Sequence, residues 1–121
     1  MYVHDPPHIL IIDDEAPILK LLSKVLSREG YRIDTAENGE EGIKKIESND
    51  YNLILTDIKM PGISGEQVAI LLKDIKEKRT PIVGMSGTPW LLNEDMFDAV
   101  LAKPCSKENL FNVVCNLIRK P

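Results

Sequence analysis

Short apolar runs alternate with stretches of helical period along the whole of this chain, and that alternation restricts the fold more than any single residue does. His8 to Ile12 is the first run, and it breaks off at three acids, Asp13-Asp14-Glu15. Pro17 fits a first helical turn, where its missing N–H costs nothing. Ile18, Leu22, Val25 and Leu26 then fall at i, i+4, i+7 and i+8, one face of a helix that stops at Gly30. Tyr31 to Ala36 alternates as a half-buried strand does. Asn38 followed by Glu41 reads as a capping box, with Ile43 and Ile46 marking a short helix to about Ser48. The third strand, residues 52 to 57, is an apolar run that ends in a carboxylate and is followed by Pro61 and Gly62. Ser64 with Gln67 makes a second capping box ahead of Val68, Leu71, Leu72 and Ile75. Pro81 to Ser86 and Asp98 to Ala102 are the last two strands, and Ser106 caps a final helix striped by Leu110, Val114, Leu117 and Ile118.

Strands joined by helices through short connections imply βαβ units, a parallel sheet and helices on both of its faces. Right-handed crossovers leave few arrangements, and for this size the expected one is α/β, a doubly wound five-stranded sheet of order 2-1-3-4-5 in the (βα)5, flavodoxin-like manner. The 121 residues suit one domain, 1–121, with 1–7 as a flexible leader. No apolar run approaches the ~20 residues that span a bilayer, and the start lacks a signal peptide's pattern, which places the chain in the cytoplasm and away from membranes. Its net charge of −4 and scattered basic residues argue weakly against a nucleic-acid surface. Lys76, Lys78 and Arg79 form the one dense basic group, suited to a helix C-terminus. Cys105 and Cys115 make no metal or redox motif and read as free thiols, and His4 and His8 lack partners at ligand spacing.

In an open parallel sheet, ligands bind beyond the carboxyl ends of the strands, where the strand order reverses. The strand ends here supply Asp13 and Asp14 from the first strand, Asp57 from the third, Ser86 from the fourth and Lys103 from the fifth. Carboxylates gathered within ~5 Å repel by about 3 kcal/mol per pair at an effective dielectric of roughly 20, so such a cluster calls for a neutralising charge. A hard divalent cation with oxygen ligands fits, and magnesium is commonly held by carboxylates while it contacts a phosphate oxygen. Lys103 adds a fixed positive charge, and the Ser86 hydroxyl can donate to an oxyanion. Two acids for a metal, a third as nucleophile, a hydroxyl and an amine describe phosphoryl transfer to a carboxylate. No P-loop or Gly-rich nucleotide cradle accompanies them, which disfavours a nucleotide as direct donor.

These residues resemble the receiver domain of two-component response regulators. The resemblance runs from about His8 to Arg119 and rests on Asp13-Asp14 after an apolar strand, Asp57 with Met60-Pro61-Gly62, Ser86 with Gly87, and Lys103-Pro104. It implies that Asp57 accepts a phosphoryl group from a phosphohistidine on a sensor histidine kinase or histidine phosphotransfer protein. It also implies that Asp14, the Asp57 carboxylate and the main-chain carbonyl of Lys59 bind Mg2+ directly, and that Asp13 acts through a metal-bound water. Ser86 and Lys103 would hold the phosphoryl oxygens, and a downstream protein would read the result by contact. Such a chain catalyses at most its own phosphorylation and dephosphorylation, and is expected to be a monomer.

The chain departs from that family in three places. Val100 stands where an aromatic side chain usually lies, three residues before the lysine. Sixteen residues, Gly87 to Ala102, lie between Ser86 and Lys103, about one and a half helical turns fewer than the family spacing. The fourth helix, between the fourth and fifth strands, is therefore expected to be shortened or irregular, with Trp90 as an anchor or a partner contact. Lys59 places a cation beside the site entrance. Alternative readings are the excised receiver of a larger regulator or hybrid kinase, a receiver-like module that accepts no phosphate, and a magnesium-dependent phosphatase with an Asp nucleophile. For the phosphatase, Lys59 stands where a general acid would be needed.

Overall fold

The chain forms five strands, β1 His8–Ile12, β2 Arg32–Ala36, β3 Leu53–Asp57, β4 Ile82–Ser86 and β5 Ala99–Ala102. They make one parallel sheet in the order β2-β1-β3-β4-β5, as the alternation predicts. The computed structural model describes residues 5–75, 80–89 and 94–119. The basic group at Lys76, Lys78 and Arg79, together with His4 and Trp90, lies outside them. Among the described residues the α-helices are α1 Ala16–Arg28, α2 Gly39–Ser48, α3 Gly65–Ile75 and α4 Lys107–Arg119. None of them is long and apolar enough to cross a membrane.

The apolar run of each inner strand feeds two cores at once, because successive side chains point to opposite faces. Leu10, Ile12, Ile54 and Ile82 pack on one face with Ile46 of α2 and Val68 and Leu72 of α3. Ile9, Ile11, Leu55 and Val83 pack on the other with Leu22 and Leu26 of α1 and Leu110 and Val114 of α4. β2 is an edge strand and is correspondingly less buried than β3.

Local chemistry sets the helix ends. The Asn38 side chain accepts from the Glu41 N–H at 2.8 Å, and Ser64 and Gln67 bond reciprocally, each side chain to the other's backbone N–H. Ser106 Oγ accepts from the Asn109 N–H at 3.1 Å. Pro17 lies in the first turn of α1, and Gly30, at φ +91°, turns the chain out of that helix into β2. His8 begins β1 beside Asp34, whose Oδ2 lies 3.0 Å from His8 Nε2 and accepts from the Tyr51 hydroxyl at 2.7 Å. This polar group closes the amino-terminal edge of the sheet, a strand-edge role for His8.

Among its described residues, the short connection between β4 and β5 departs from the helix–strand alternation. They include a turn of 3-10 helix, Glu94–Met96, and no α-helix. Immediately afterwards Asp98 bonds twice to Ile82, its N–H to the Ile82 carbonyl at 2.9 Å and its Oδ2 from the Ile82 N–H at 2.8 Å. That pair fixes the start of β5 beside the start of β4.

Candidate functional site

Register brings the strand ends level. Ile12 pairs with Thr56, Asp57 with Met85, and Ser86 with Ala102. The next residues along, Asp13 and Lys103, therefore meet Asp57 and Ser86 at one rim. Lys103 Nζ lies 3.0 Å from Asp13 Oδ2, 3.2 Å from Asp57 Oδ2 and 3.7 Å from Glu15 Oε1. Carboxylate oxygens of Asp13, Asp14, Glu15 and Asp57 all fall within 4.8 Å of one another.

Each acid is held differently. Asp13 is fully buried, with Oδ1 accepting from the Glu15 N–H at 2.9 Å and Oδ2 paired with Lys103. Asp57 is also buried, and its Oδ1 accepts from the Ile58 N–H at 2.9 Å while Oδ2 faces Lys103. Asp14 and Glu15 are exposed and cover the cluster from the solvent side. Burial pushes the Asp57 carboxyl above the usual carboxylate range; Lys103 opposes that rise and the charge of Asp13 adds to it. Burial also acts against the Lys103 ammonium, but Asp13 and Asp57 outweigh it and hold the amine above the ordinary lysine value. The two shifts agree physically: one cation serves several acids, so it gains more from them than any one acid gains from it.

Ser86 is buried at the end of β4, where its carbonyl accepts from the Lys103 N–H at 2.8 Å and its Oγ accepts from the Thr88 N–H at 3.0 Å. The Lys103–Pro104 peptide bond is cis. Beside the acids a cavity of about 570 Å³ is lined by Ile58, Lys59, Met60, Pro61, Ser64 and Glu66 from one side and Ser86 and Thr88 from the other. Gly62, at φ +79°, makes the turn that carries the chain from this cavity back to α3. Gly65 then starts α3 hard against the Asp57 carbonyl and within 2.9 Å, measured from where a Cβ would stand, of Ile58 Cα. A side chain there would push the helix off the end of β3.

Of the residues singled out from sequence, Asp13, Asp14, Asp57 and Lys103 come together, Ser86 stands on the neighbouring strand end, and Lys59 lines the adjoining cavity. Glu15 joins them without having been singled out. Its signal was present as the third acid of the run after β1. Hard oxygen donors in such a cluster, with one ammonium beside them, suit a small divalent cation that also meets an anionic ligand.

The response regulator receiver domain family matches this chain over residues 9–115, and the chain belongs to that family. It is 40% identical over 118 residues to the transcriptional regulatory protein ResD of Bacillus subtilis, covering 93% of this chain and 48% of ResD. It is 35% identical over 117 residues to the transcriptional regulatory protein SrrA of Staphylococcus aureus, covering 93% of this chain and 48% of SrrA. The chain thus spans about half the length of these two relatives. Among solved structures, the response regulator protein TrrA of Thermotoga maritima, in complex with Mg2+ and beryllium fluoride, superposes with a TM-score of 0.84 at 38% identity. That match covers 92% of this chain and 98% of TrrA.

Proposed function

We propose that this chain is the phosphoacceptor receiver of a two-component relay in the cytoplasm, and that Asp57 takes the phosphoryl group from a phosphohistidine. The observation that carries this reading is the placement of the buried Asp57 carboxylate between an ammonium and a cluster of acids at the open end of the sheet. In the transfer, a carboxylate oxygen of Asp57 bonds to phosphorus as the P–N bond to the donor imidazole breaks. The electron pair of that bond leaves with the imidazole, and an acyl phosphate remains on Asp57.

Asp14, the Asp57 carboxylate and the main-chain carbonyl of Lys59 hold Mg2+ in this reading, and Asp13 acts on it through water. Asp13 suits the outer role because both of its oxygens are already engaged, by the Glu15 N–H and by Lys103, whereas Asp14 is exposed. Bound Mg2+ supplies a positive charge that offsets the acids and the phosphoryl oxygens. Lys103 gives a second cation, already directed at Asp57, to meet a phosphoryl oxygen. The Ser86 Oγ accepts from Thr88, which orients its hydroxyl hydrogen for donation to another. A histidine kinase or histidine phosphotransfer protein is the donor, and a downstream protein reads the phosphorylated state by contact. The similarity to TrrA, whose structure holds Mg2+ and beryllium fluoride, supports both the metal and the anion.

Intact mass after incubation with acetyl phosphate tests the reading. A labile gain of one phosphoryl group is expected with Mg2+, with none in EDTA and none in Asp57→Asn. Equal labelling of Asp57→Asn would refute it.

A further inference from the structure

β4 presents Ile82, Gly84 and Ser86 toward the core beneath α2 and α3, and the middle one of the three has no side chain. A Cβ at Gly84 would stand 2.8 Å from Ile58 Cδ1 and 3.1 and 3.2 Å from Phe97 Cδ1 and Cε1. Two buried side chains from separate segments therefore close over the bare backbone of β4. Ile58 is 4% exposed and Phe97 6%. Phe97 follows the 3-10 turn Glu94–Met96 and precedes Asp98, which is pinned to Ile82. Its ring is thus held from the backbone on one side and by Gly84 on the other.

Ile58 holds one oxygen of the Asp57 carboxylate, as Lys103 faces the other. Its N–H donates both to Asp57 Oδ1 at 2.9 Å and to the Met85 carbonyl at 3.1 Å, and its carbonyl accepts from the Gly65 N–H at 2.9 Å. We propose that Phe97 is a positioning residue for Asp57: its ring, seated on Gly84, fixes Ile58, and the Ile58 N–H fixes the carboxylate. The proposal rests on the reading of Asp57 as the group that reacts. Interiors are packed too closely for the ring to be removed without effect, since a deleted aromatic leaves a cavity into which its neighbours relax only in part. Relaxation of Ile58 toward that cavity turns its N–H away from Asp57 Oδ1. The fit is reciprocal. A methyl group at residue 84 would displace the same two side chains, and a smaller side chain at residue 97 would make room for it.

The test uses the full chain with Phe97→Ala, Phe97→Leu, Gly84→Ala and the double variant Gly84→Ala with Phe97→Leu. Two quantities are read: the amide chemical shift of Ile58, and the rate of labelling by acetyl phosphate at saturating Mg2+. Phe97→Ala and Gly84→Ala are expected to move the Ile58 amide and to slow maximal labelling by roughly tenfold, as a misplaced reacting group does. The acetyl phosphate concentration for half-maximal rate is expected to stay the same. The double variant is expected to recover most of both losses relative to Gly84→Ala. A merely structural role would lower stability without moving the Ile58 amide or the labelling rate of the folded protein, and that result would overturn the proposal. Failure of the double variant to recover either quantity would also overturn it. If Phe97→Ala does not fold, Phe97→Leu carries the same comparison. Should the wild type take no phosphoryl group, the reading of Asp57 fails, and the Ile58 amide shift alone decides whether the ring positions the carboxylate.

Discussion

Asp57 is poised between opposed influences, with burial and the charge of Asp13 acting against its ionisation and Lys103 acting for it. A carboxyl whose pKa is raised on folding binds its proton more tightly in the folded state. Its contribution to stability is present below the unfolded value of ~3.9 and is lost as pH rises through the folded value. Ionised Asp57 therefore strains the metal-free protein at neutral pH. Asp57→Asn is expected to raise Tm by a few degrees at pH 7 without metal, and the difference should vanish near pH 3, as differential scanning calorimetry at both pH values would register. Lys103 has the opposite weight. Lys103→Met leaves Asp13 and Asp57 buried without their cation, and should cost about 3 kcal/mol in urea unfolding at pH 7, less in acid, where the raised Asp57 carboxyl takes up its proton. Single residues are also where the sequence is most informative, because a charged side chain at the end of an apolar run stands out. Glu15 shows the limit: in the sequence it is one more acid at a helix start, and only the approach of Lys103 Nζ, at 3.7 Å, joins it to the site.

Strands and helix caps follow from neighbours in sequence, which is why the caps at Asn38, Ser64 and Ser106 are legible from residue type and spacing alone. The β4–β5 connection is different. Its shortness is countable, and the 3-10 turn Glu94–Met96, with no α-helix among the connection's described residues, agrees with a shortened fourth helix. What fills the space is not legible, because the seat for Phe97 exists only where Gly84 and Ile58 meet in three dimensions. Val100, which pairs with Gly84 across β4 and β5, packs at the margin of the same core. The element is held at its end by Asp98. Asp98→Ala would leave the Ile82 N–H without its carboxylate partner, and a loss of about 1–3 kcal/mol is expected in urea unfolding. Residues 94–98 are expected to exchange their amide protons faster than β4, since one 3-10 turn offers little protection; equal protection would contradict this account of the connection.

Across the whole molecule, the sheet order and parallel register convert separate strand ends into one site. Ile12 against Thr56, Asp57 against Met85 and Ser86 against Ala102 set the acids, hydroxyl and amine at one rim. The order can be reasoned from the alternation and the handedness of crossovers, whereas the distances need the register. Because the acids repel in the absence of metal, Mg2+ should stabilise the fold as a ligand of the native state, with Tm rising as its concentration rises and the rise reduced in Asp57→Asn. The chain's place in a longer regulator or on its own does not alter this chemistry, which lies wholly among the strand ends described. The central claim is that the phosphoryl group goes to Asp57 and to no other acid of the cluster. Borohydride reduction after treatment with acetyl phosphate and Mg2+, followed by peptide mass mapping, tests it most directly, since reduction turns an aspartyl phosphate into homoserine. Conversion at residue 57 alone is predicted; conversion at Asp13, Asp14 or Glu15, or none at all in the treated wild type, would contradict the account.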